Sequence, residues 1–184
     1  MTLAPPQATP AIDQQTGQTQ ASTGEPRPNT RPAYPQRVLQ GPGELQVRAY
    51  LQDVVSDRFG AGGWSAFTSA PTAIAVASIR GRWATNHEPA VNLLIKTRTG
   101  WHAHGSGTPL SRQAATELDA LLANRQLWAE PGRYPAVACP DSGADVIMIR
   151  HAGRTKTVYQ SGGCGTPNLS TRLIQTALRE HLPG

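Results

Sequence analysis

Long apolar runs are what this sequence lacks most. No stretch approaches the ~18 consecutive apolar residues that cross a membrane as a helix. Only 38 % of the 184 residues are hydrophobic, below the ~45–50 % usual in globular domains. Lysine is almost missing, since Lys96 and Lys156 are the only two among 17 basic residues. Two cysteines are too few for a disulfide-dense scaffold or a four-cysteine zinc module. No His-Glu-x-x-His pair, phosphate-binding Gly-x-x-x-x-Gly-Lys loop or Gly-x-Ser-x-Gly elbow occurs. The glycine run Gly60-Ala61-Gly62-Gly63 follows a helical pattern where a dinucleotide site needs a strand. Serines stand at Ser106, Ser142 and Ser161 and carboxylates at Glu88, Glu130, Asp141 and Asp145, but no spacing joins them to a histidine as a nucleophile or acid–base pair. The expectation is a non-enzymatic protein without a cofactor.

The apolar deficit is uneven. Residues 1–36 are rich in Pro, Gln, Thr, Ala and Gly, with little apolar bulk beyond Leu3, Ile12 and Tyr34. Such a segment buries too little surface to offset the entropy of ordering, so a disordered tether is expected. Residues 37–184 are long enough for one hydrophobic core. In composition alone the tether resembles the spacer of bacterial lipoproteins. The opening Met1–Pro6 has neither the basic nor the apolar region of a signal peptide, so export requires a leader outside these residues.

The net charge is +5. Arg27 and Arg31 balance Asp13 and Glu25 in the tether, which leaves the whole excess on the domain. A basic domain permits contact with anionic envelope components or nucleic acid.

Periodicity gives the order α-β-β-β-α-β-β-α. Val47, Tyr50, Leu51, Val54 and Val55 make a helical stripe over Glu44–Phe59, which Gly60 ends. Gly60–Gly63 reads as a flexible loop into Trp64. Strands are expected at 72–82, at 91–97 and after Gly100. A three-residue loop there sets Trp101 opposite Thr97, burying it with Ala103 and leaving His102 and His104 outward. Ser111 caps a second helix over Arg112–Ala123, whose buried face is Ala115, Leu118, Leu121 and Leu122 and whose left-handed terminator is Asn124. Leu127 and Trp128 anchor the loop that follows. A hairpin joins 144–150 to 155–160 through His151-Ala152-Gly153-Arg154. Thr166 and Pro167 open a last helix ending near His181. Short turns between strand pairs imply an α+β fold, an antiparallel sheet with helices packed on it.

Cys139 and Cys164 flank the hairpin about equally, so a disulfide between them is expected, and with it an oxidising compartment: periplasmic, secreted or outer-membrane-tethered. The alternative is a cytoplasmic protein with free thiols, Cys164 being set before a helix start where its pKa would fall.

Four cations suggest a binding stripe, with Arg80 and Arg82 sharing one strand face and Lys96 and Arg98 another on the sheet's solvent side. Trp83, next to Arg82, lies on the opposite face, so the base-stacking platform of a single-strand binder is missing there. His102 and His104, two apart in a strand, could share a metal ion, with His87 and Glu88 nearest in sequence. Trp64 is the candidate interface anchor. These readings favour an exported binding module for a protein or an anionic envelope component. A basic nucleic-acid-binding domain and a histidine-based metal-dependent hydrolase are the alternatives.

Overall fold

The computed structural model describes residues 43–79, 89–134, 143–161 and 168–179. The architecture is α+β, as expected. Helices α1 (Glu44–Phe59) and α2 (Ala61–Ser69) precede strands β1 (Thr72–Ile79), β2 (Ala90–Thr97) and β3 (Gly100–Ala103). Helices α3 (Arg112–Ala123) and α4 (Arg125–Ala129) follow, then β4 (Arg133–Tyr134), β5 (Ala144–His151), β6 (Arg154–Ser161) and α5 (Leu169–Arg179). The sheet order is β3-β2-β1-β5-β6-β4. Every pairing is antiparallel except that of the two-residue β4 with β6.

The sheet is buried on both sides, a three-layer arrangement with no open face over its centre. On one side α1 and α2 lay Tyr50, Leu51, Val55 and Phe67 over Ala73, Ala75 and Ala77. On the other, α3, α4 and α5 lay Leu118, Leu121, Leu122, Leu127 and Leu173 over Ile74 and Val76. The alternation of β1 is therefore small against large rather than polar against apolar. At ~25 cal/mol per Å² of apolar surface, burial on both faces anchors β1 together with its neighbour β5, whose Val146, Ile147, Met148 and Ile149 are buried too.

Several local expectations are corrected. Residues 61–63 are not a loop: they open α2 directly after Gly60, whose φ of 73° ends α1. Gly63 is where the two helices meet, since a Cβ there would stand 2.6 Å from the Phe59 Cβ. Asn124 is extended rather than left-handed (φ −75°, ψ 119°), and its side chain accepts from the Gln126 N–H to start α4. The buried face of α3 uses Ala114 with Leu118, Leu121 and Leu122, while Ala115 is half-buried. Ser111 caps that helix as read, accepting from the Ala114 N–H at 3.2 Å.

The β2–β3 turn is Arg98-Thr99, so Trp101 pairs with Lys96 and Gly100 with Thr97. This is the opposite face from the one expected. Because both faces are buried, apolar pattern does not choose between registers. Trp101 and Ala103 are buried under α3, and His102 and His104 face the α1–α2 layer half-buried rather than outward. The β5–β6 hairpin closes at Ala152-Gly153, both with positive φ (50° and 76°), the pattern of a type I′ turn.

Candidate functional site at the hairpin end of the sheet

Antiparallel pairing brings the two hairpin turns to one end of the sheet, beside the start of β1. There a row runs across five strands. Trp101 pairs with Lys96, Thr72 lies beside Lys96 one step past the Ala73–Ile95 pair, Thr72 pairs with His151, and His151 with Arg154. Partners in one row project to one face, so all five side chains point toward α3 and α4.

The helices add Asp119 and Trp128. Asp119 accepts from the Lys96 Nζ at 2.6 Å and from the Trp101 indole N–H at 2.9 Å. Burial raises the Asp119 pKa, but those two hydrogen bonds and the charge of Lys96 outweigh it and hold the carboxyl below its ordinary value. Trp128 donates its indole N–H to the Leu122 carbonyl at 2.8 Å. The Arg154 guanidinium sits 4.1 Å from its ring centroid, a cation–π contact, and the His151 ring lies stacked at 6.3 Å. His151 Nδ1 is 3.2 Å from the Thr72 hydroxyl. Burial, then Arg154 and Lys96, push the His151 pKa down, against an upward pull from Asp119.

The neighbouring polar groups are structural. Lys156 is buried and donates to the Glu130 carbonyl. The Glu130 carboxylate accepts from the Leu169 and Ser170 N–H groups and the Ser170 hydroxyl, which caps α5. On the other face of the same end, Arg150 donates its Nε–H to the Ala70 carbonyl at 3.3 Å.

Of the expected stripe, the structure brings Lys96 into this row and leaves Arg98 exposed in the turn. Lys96 and Arg98 thus do not share an open sheet face, because that face is covered by α3. Arg80 and Arg82 lie outside the described residues, as do Cys139, Cys164, His87 and Glu88. His102 Nε2 is 3.2 Å from the Thr99 hydroxyl. His104 meets Phe59 edge to face at 5.5 Å, beside a cleft of about 450 Å³ that Arg58 and Ser106 also line. Among the described residues no group of three His, Cys, Asp or Glu gathers as metal ligands. Trp64 lies within α2, half-buried and stacked on Phe67 at 5.1 Å.

Sequence reading missed His151, Arg154, Trp128 and Asp119. The one available signal was the position of His151 and Arg154 on either side of the most legible turn. No described helix is long and apolar enough to cross a membrane. No family model matches this sequence, and no curated protein or solved structure matches it either.

Proposed function

We propose that this domain is a non-enzymatic binding module whose hairpin end recognises an anionic partner. One observation carries the reading: Lys96 and Arg98 from the first hairpin and Arg150, His151 and Arg154 from the second converge on one end of the sheet. Asp119 answers Lys96 there, and the exposed Arg98 and Arg154 have no carboxylate partner among the described residues. Guanidinium groups held on short turns offer planar, bidentate recognition of carboxylate or phosphate. Trp128 has its ring occupied by Arg154 and His151, which argues against base stacking and for an acidic partner over single-stranded nucleic acid.

Amide NMR titration with polyglutamate tests this. Shifts confined to residues 96–99 and 150–155, lost in the Arg98→Glu/Arg150→Glu/Arg154→Glu variant, support it. Shifts elsewhere, or none at low salt, overturn it.

The proposal includes export, which rests on the cysteines. The β5–β6 ladder is centred between Ala152 and Gly153, one residue beyond the midpoint of Cys139 and Cys164. Intact mass after alkylation of protein taken from its native host without reductant is expected to show two unlabelled thiols and a loss of two protons. Two labelled thiols would place the protein in a reducing compartment instead.

A further inference from the structure

Beside the hairpin end, on the α2 side of the sheet, lies an open groove of about 630 Å³. Ala66, Ala70, Pro71 and Ile95 line it, with Arg98 at its edge; Lys96 also borders it but turns its Nζ to Asp119 on the other face. No carboxylate lines it among the described residues. Arg150 stands in the same cross-strand row as Ile95, with Ala73 between them, and bonds the Ala70 carbonyl. An apolar trough of this size takes one or two aliphatic side chains, and Arg98 and Arg150 beside it select what accompanies them.

The geometry points to a short acidic peptide segment with a central aliphatic pair, its side chains in the groove and its flanking carboxylates on Arg98 and Arg150. This rests on the anionic-partner reading above and adds to it the apolar half of the ligand. Charge complementarity alone would be met by any polyanion. The groove, formed where α2 ends against β2, is what a simple polyanion leaves unused. The scarcity of exposed apolar bulk favours a peptide over a bilayer surface: among the described residues only Leu45 is a strongly exposed large hydrophobic, and it lies on α1.

The test uses the full chain and four probes: an acetylated Asp-Glu-Leu-Leu-Glu-Asp peptide, its Ser-Ser counterpart of equal charge, polyglutamate, and phosphatidylglycerol vesicles. The Leu-Leu peptide is expected to bind about tenfold more tightly than the Ser-Ser peptide, as burial of about one aliphatic side chain gives. Ser69→Trp, an exposed position on the groove wall, is expected to abolish that tenfold preference while leaving polyglutamate binding unchanged. Equal affinity for the two peptides overturns the groove assignment but leaves the anionic-partner reading standing. Loss of polyglutamate binding in the wild type overturns both. Tighter binding to vesicles than to the Leu-Leu peptide overturns the peptide assignment in favour of a lipid surface.

Discussion

The two helical layers meet one sheet through unlike surfaces. Under α1 and α2, β1 offers Ala73, Ala75 and Ala77, and the helices supply the bulk as Tyr50 and Phe67. Under α3, α4 and α5 it offers Ile74 and Val76, and the helices answer with leucines. Within the first layer α1 and α2 meet closely at Phe59 and Gly63. The second ends in the polar row from Trp101 to Arg154. One strand thus presents small side chains to one layer and large ones to the other, and it is the layer over the large ones that carries charged side chains at its end.

The largest effect is expected from removing bulk on the leucine side. Ile74 is fully buried, so Ile74→Ala should cost about 2–5 kcal/mol by urea denaturation, through lost transfer energy and the cavity left behind. The converse change on the other face, Ala75→Leu, should cost about 1–3 kcal/mol by overpacking against α1. If Ala75→Leu proves neutral, the alanine face has slack and the contrast between layers fails.

A smaller effect should separate the polar end from both cores. With the His151 pKa lowered from its ordinary 6.5, the folded state binds fewer protons than the unfolded state between the two values. Stability therefore rises with pH across that window. It is present in full above about 6.5 and lost as pH falls toward the folded value. His151→Gln should flatten the fall in stability between about pH 7 and 5. Asp145, on β5 at the opposite end, acts with the other sign. Burial raises its pKa against an opposing bond from Ser78, so its contribution falls as pH rises above the ordinary carboxylate value of 3.8. Because Asp145 is common to both proteins, the difference between wild type and His151→Gln isolates the histidine.

Much of the secondary structure was legible because it depends on neighbours in sequence. The stripe from Val47 to Val55 fixed α1, and Gly153 fixed the β5–β6 turn. Helix α2 was not legible, because the glycine run at its start read as loop, when the smallness of Gly63 serves packing against α1. The face of Trp101 was not legible either: a sheet covered on both sides removes the polar alternation that would select a register. The candidate site needed more again. Its row draws on β3, β2, β1, β5 and β6, and no periodicity states which strands are neighbours. The individual cations Lys96 and Arg98 were visible, but their separation into a helix-covered row and an exposed turn was not.

The central position of β1 also governs how the chain comes together as it is made. Its neighbour β5 begins at Ala144, some seventy residues after Thr72. Until that segment has been synthesised, β1 has only the β2–β3 side of its ladder, and Ile74 and Val76 lack Ile147, Ile149 and the α5 leucines. The N-terminal two-thirds of the domain therefore has no closed core of its own, and such sequence-distant pairing slows folding. A nascent chain released early would expose one β edge and one apolar face together: pairing of β5 closes the edge, and α5 then covers the face.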